Sequence, residues 1–184
     1  MSDLYARALD EMKPVFARLD DAAVDEAVRR IASARRVVLY ACGREKLQIM
    51  GLCMRLHHMG FDVAMTGDMT TPPVGKGDLF LTVCGPGYVS TTQALIGVAR
   101  DAGAATLVVT AVPKGPTSSL ADFVLLLPAQ TMADDQGPAK SSVLPMGSLY
   151  EGALFVLFEV MILKLRDRLK IAPDIMRSNH TNLE

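Results

Sequence analysis

Residues 78–92 read DLFLTVCGPGYVSTT, and the fold can be worked outward from this stretch. Residues 79–83 form a short apolar run between polar and turn residues, as in a strand buried on both faces of a parallel sheet. Gly85-Pro86-Gly87 then turns the chain sharply, because only glycine enters positive φ without steric cost. Ser90, Thr91 and Thr92 carry hydroxyls where helix caps belong, ahead of a helical pattern in Gln93, Ala94, Leu95, Ile96, Val98 and Ala99. Strand, glycine turn and helix N-terminus in succession aim backbone N–H groups at one place, which suits an anion. An ordinary βα turn without a ligand carries the same pattern.

The flanking segments repeat the theme. Residues 37–41, 62–66, 105–110 and 123–127 read as further strands. Residues 47–59 read as a helix stopped by Gly60, entered through the turn Cys42-Gly43-Arg44-Glu45-Lys46. Strands alternating with helices imply right-handed βαβ units, hence an α/β three-layer sandwich around a five-stranded parallel sheet. In the flavodoxin-like order 2-1-3-4-5 the switch point lies between strands one and three. Those strands deliver Gly43-Arg44 and Gly85-Pro86-Gly87 to one crevice.

Ahead of this core, residues 3–18 suit an amphipathic helix interrupted near Pro14, and Asp20-Asp21 can cap a second helix over 22–33. Residues 128–147, rich in Pro, Gly, Ser and Asp, read as a functional or mobile loop. Residues 148–168 form a long helix with apolar residues almost all round, which points to burial in a subunit interface. The whole reads as one domain: N-terminal helices 3–33, core 37–147, interface helix 148–168 and tail 169–184.

At 184 residues such a chain buries roughly 70% of its unfolded surface. A net charge of −1 offers no basic field for nucleic acid. The N-terminus lacks an apolar signal core and no apolar run reaches ~18 residues, so a cytoplasmic protein with no membrane partner is expected. Three cysteines, Cys42, Cys53 and Cys84, without CxxC or HExxH spacing, point to reduced thiols and no structural metal.

Several short segments, in order, resemble the SIS (sugar isomerase) domain family, and within it the 6-phospho-3-hexuloisomerases. They are residues 55–61 (RLHHMGF), Thr70-Thr71-Pro72 with Gly75-Lys76-Gly77-Asp78, residues 145–151 (PMGSLYE), and the tail Met176-Arg177, His180, Asn182-Leu183-Glu184. The resemblance implies a homotetramer built as a dimer of dimers, no cofactor and no metal. It also implies a small-molecule substrate, a sugar phosphate or sugar-like compound, whose carbonyl moves by one carbon through an enediol.

The resemblance places Glu151 at the family's proposed base and His180 at a C-terminal histidine that reaches a neighbouring subunit's crevice. Gly43, Arg44, Glu45 and Lys46, with Cys84, Gly85, Gly87, Tyr88, Ser90 and Thr91, would cradle the substrate. Read without the family, Ser148-Leu149-Tyr150-Glu151 is a capping box and His180 a solvated tail residue. Arg44 suits a bidentate anion contact or a surface ion pair. Cys84 suits a nucleophile near a helix N-terminus, or small buried packing. His57 and His58 read as structural or interface residues.

Two loops depart from the family pattern. Where the first loop usually reads G-x-G-R-S-G, this chain has Ala41-Cys42-Gly43-Arg44-Glu45-Lys46. Where the phosphate loop reads S-G-S-G-x-T, it has Cys84-Gly85-Pro86-Gly87-Tyr88-Val89, which removes three hydroxyls and one backbone donor. Each hydrogen bond lost to a charged group costs about 1.5–3 kcal/mol. An isomerase for a non-phosphorylated substrate, a non-catalytic domain that senses a metabolite, and thiol chemistry at Cys84 are therefore the competing expectations.

Overall fold

The computed structural model describes residues 3–183; Met1, Ser2 and Glu184, the last residue of the tail motif, lie outside the described residues. Five all-parallel strands, β1 (Val37–Tyr40), β2 (Val63–Met65), β3 (Leu79–Val83), β4 (Ala105–Thr110) and β5 (Phe123–Leu126), lie in the order β2-β1-β3-β4-β5. Their register pairs Val37 with Leu79 and Leu79 with Ala105, so β3 is the central strand. All five of its residues are buried, which is why its sequence shows no polar alternation.

Alternate side chains divide the core in two. Leu39, Leu81, Val83, Leu107, Val109 and Leu125 face the larger half, packed by helices α1 (Leu4–Ala17), α2 (Asp21–Ser33), α3 (Gly43–His58) and α5 (Ser148–Leu169). Val38 and Phe80 face the smaller half, closed by Ile96 and Ala99 of α4 (Ser90–Asp101). A last short helix, α6 (Pro173–Ser178), lies against α3. The fold expected from sequence is the fold observed.

Local boundaries differ in instructive ways. Helix α1 runs through Pro14 rather than breaking there. Pro14 is exposed, so only one backbone bond is forgone and water can serve the freed carbonyl, while Val15 beside it is buried and holds the helix down. Helix α3 starts at Gly43, so Gly43-Arg44-Glu45-Lys46 is its first turn and not a separate connection. The cap of α2 is as expected: Asp20 accepts from the Ala22 N–H at 3.0 Å.

The loop over 128–147 is tied down at several points. Glu11 of α1 accepts from the Ser142 hydroxyl at 2.6 Å and from the Val143 N–H at 3.0 Å. Gln130 accepts from the Ser141 and Ser142 N–H groups. On α5, Phe155 (58% exposed) and Leu163 (48%) face outward while Leu154, Leu157, Phe158 and Met161 are buried. Part of the apolar surface that sequence assigned to an interface is thus used inside the chain. Among the described residues no helix is long and apolar enough to cross a membrane.

Candidate active site

The ends of β1 and β3 open into a cavity of about 550 Å³, and α5 and the 128–147 loop form its opposite wall. Cys42, Gly43, Arg44 and Glu45 line one side, Pro86 and Val89 the second, and Thr131, Met132, Met146, Gly147, Tyr150 and Glu151 the third. The expected crevice is therefore present, with Glu151 across from both glycine turns.

Glu151 is not a helix cap. The N-cap of α5 is Gly147, in the left-handed region at φ 76°, so Ser148 sits one residue too far in for a capping box, and its hydroxyl donates to the Pro145 carbonyl. Freed from that duty, the Glu151 carboxylate turns to Arg44 at 3.0 Å, with 15% of its side chain exposed. Burial raises its pKa above the ordinary carboxylate value, and the Arg44 charge opposes the rise. Arg44 also donates to the Met146 carbonyl and so links the first turn of α3 to the far wall.

Gly147 has no substitute. Its positive φ and the close approach of the 131–132 backbone leave no room for a side chain: an added Cβ would lie 2.7 Å from the Thr131 carbonyl carbon and collide with the Met132 nitrogen. Gly147→Ala is expected to cost about 3 kcal/mol in urea unfolding, from left-handed strain plus overlap. Gly97→Ala, with nothing within 4 Å of the new Cβ, should be neutral or stabilising. Equal effects at both positions would contradict the packing described.

Glu45 lies deeper. Its Oε1 accepts from the Gly85 N–H at 3.0 Å, and burial lifts its pKa to about 7, the Gly85 bond and Arg44 opposing and Glu151 adding to the rise. Beneath it Cys84 is fully buried, with its thiol against the Thr117 hydroxyl at 3.6 Å; burial pushes its pKa up, away from a reactive thiolate. Cys42 is half-buried and meets the Tyr40 hydroxyl at 3.1 Å. Among the described residues no three His, Cys, Asp or Glu side chains converge as a metal site requires.

The remaining sequence candidates fall elsewhere. Tyr88, Ser90, Thr91 and Lys46 are exposed and do not line the cavity. The expected hydroxyl cap of α4 is absent: Val89 occupies the N-cap, one residue before the hydroxyls, and Thr92 is buried in the helix. Gly87, at φ 81°, packs on Val112 and shapes the turn. His180 stands outside the cavity, its ring 5.0 Å from that of His58 in a separate hollow with Arg55, Met176 and Arg177. Tyr150, Thr131, Met132 and Met146 line the cavity although sequence reasoning did not select them. The composition of the 128–147 loop was the only signal for Thr131 and Met132, whereas Met146 and Tyr150 lie in the 145–151 segment that resembles the family.

With fold and cavity in view, the class of protein is clear. The SIS domain model matches residues 30–155, and the chain belongs to that family. Among its relatives is the 3-hexulose-6-phosphate isomerase of Bacillus subtilis, 31% identical over 100% of this chain and 98% of that one. The protein of the same name from Mycobacterium gastri is 33% identical over 95% of this chain and 87% of the relative. In structure, a Methanococcus jannaschii protein for which a 3-hexulose-6-phosphate isomerase function was inferred superposes at a TM-score of 0.84. It is 22% identical, and 98% of each chain is covered.

Proposed function

We propose that the protein is a cofactor-free isomerase that moves a carbonyl between neighbouring carbons of a sugar phosphate or related sugar-like substrate. The observation that carries this reading is Glu151, a carboxylate of raised basicity paired with one guanidinium on the wall of a 550 Å³ cavity at the sheet's switch point. Relatives named as isomerases, aligned along nearly the whole chain, support it.

In this reading Glu151 takes the proton from the hydroxyl-bearing carbon next to the carbonyl. The carbonyl oxygen gains a proton as the enediol forms. Return of the carbon-bound proton to the former carbonyl carbon, with loss of the other hydroxyl proton, completes the shift, so no electrons leave the substrate. Arg44 holds the carboxylate in place. Interconversion of ketoses with neighbouring carbonyl positions, followed by NMR, tests the reaction; binding without interconversion would make the domain a metabolite sensor.

His180 completes this proposal only from a second copy, because its own chain holds it outside the cavity. We therefore propose a homotetramer that brings it to a neighbour's crevice as an assisting acid/base. Outward-facing apolar residues on α3 and α5, among them Leu47, Met50, Phe155 and Leu163, support association. Glu151→Gln and His180→Ala subunits, each inactive alone, should recover activity when co-expressed, since hybrids restore one intact site. No recovery in confirmed hybrids would contradict a shared site.

A further inference from the structure

The loop that ends β3 has its nearest backbone donors already engaged. The Gly85 N–H is taken by Glu45 Oε1 at 3.0 Å, Pro86 has none, and the Gly87 N–H bonds the Cys84 carbonyl at 3.0 Å. Nor is there space for a further group at Gly85. A Cβ there would sit 2.7 Å from Tyr150 Cε1 and overlap the Glu45 carboxylate. Among the described residues Arg44 is the one cation lining the cavity, and it is committed to Glu151 and to the Met146 carbonyl.

Above pH 7, where Glu45 is ionised, an incoming phosphate dianion would therefore meet two carboxylates, one guanidinium already paired, and walls of Pro86, Val89, Met132 and Met146. Like charges in a partly dry site repel strongly. The Tyr150 hydroxyl adds a second observation. It lies in the same wall at 1% exposure, without a hydrogen-bond partner among the described residues. Burial keeps it a neutral phenol, so it remains an O–H donor. The carboxylate acceptor suits a sugar hydroxyl and repels phosphate oxygens, whereas the phenolic donor serves either, so the discrimination rests on Glu45.

We propose that Glu45 is a specificity-determining residue: its carboxylate fills the anion cradle at Gly85, excludes a phosphate group, and accepts a hydroxyl of an unphosphorylated, sugar-like ketose. This rests on the isomerase reading for the identity of the ligand as a ketose, but the exclusion of phosphate does not depend on turnover.

Titration near pH 8, where Glu45 is ionised, of wild-type protein, Glu45→Ser and Glu45→Gln with inorganic phosphate and with fructose 6-phosphate, followed by NMR shift changes, provides the test. Wild type is expected to bind both at least about tenfold more weakly than Glu45→Ser, which removes charge and bulk together. Glu45→Gln, which keeps the bulk and loses only the charge, should fall between them and guards against misfolding of the serine variant. Equal affinity in all three proteins, or no binding in any, would overturn the proposal. Absence of ketose interconversion would defeat the isomerase reading and leave this comparison intact, so the two failures are separable.

Discussion

Glu45→Gln is expected to raise the melting temperature by about 4–8 °C near pH 8, from roughly 2 kcal/mol of stability at this chain size, and to lower it slightly near pH 4.5, where only the cost of the unpaired amide remains. In the folded chain the Glu45 carboxyl titrates at about 7, against an ordinary value of 4.5, chiefly because it is buried. Between those values the folded state holds a proton that the unfolded state has released. Stability is therefore fully present below pH 4.5 and declines as pH rises through 7.

The whole displacement corresponds to roughly 3 kcal/mol, of which an unpaired glutamine amide gives back about 1 kcal/mol. Glutamine keeps an oxygen for the Gly85 N–H, so the loop should hold its shape. A wild-type protein equally stable at both pH values, or a variant no more stable than wild type near pH 8, would contradict a buried carboxylate at this position. Destabilising a fold to keep a charge in its crevice is the pattern of a functional residue.

Glu151→Gln is expected to lower kcat by about 10²–10⁴-fold, the usual contribution of a positioned base, with little change in KM. Its effect on stability should be small. The pair with Arg44 is partly exposed on the guanidinium side, at 41%, and such pairs contribute about 1 kcal/mol or less. Glutamine also still accepts a bond from Arg44. A large loss of stability with kcat preserved would return Glu151 to a structural role. Such a separation of rate from stability would distinguish the two glutamates, with Glu45 expected to act on binding and pH-dependent stability and Glu151 on the chemical step.

Much of this was legible from sequence because it depended on local signals. The apolar runs of β3 and β4, the glycines after β1 and β3, and the alternation of strands with helices suffice for a parallel α/β sheet, and the observed order is the flavodoxin-like one taken by analogy. The local misreadings share a cause. A left-handed glycine at 147 moved the N-cap of α5 one residue forward and dissolved the capping box. A positive-φ glycine at 43 let α3 begin within what read as a turn. Val89, a residue that caps nothing, took the N-cap of α4. At α4 and α5 one residue of phase decides which side chain bonds to what, while α3 begins four residues earlier than the 47–59 pattern, and propensity resolves neither phase nor start.

The site was legible as a meeting of loops, but not in its charge arrangement. Glu45 stood out in sequence only as a misplaced acid; its bond to Gly85, 40 residues away, is a tertiary contact that no window of sequence contains. The same holds for Arg44 reaching Met146, 102 residues away, and for Tyr150 lying against the Gly85 backbone. His180 shows the opposite case. Family resemblance assigned it a catalytic part, but its place beside His58 lies outside its own chain's cavity, so that part would require a second chain.

The central claim is that Glu151 exchanges a carbon-bound proton of its substrate, and solvent deuterium incorporation tests it most directly. In D₂O the wild-type protein should place deuterium on the carbons flanking the carbonyl of its ketose, and Glu151→Gln should place almost none while still binding the sugar. Deuterium entering at the wild-type rate in the Glu151→Gln protein would show that another group moves the proton, and the account of the cavity would fail.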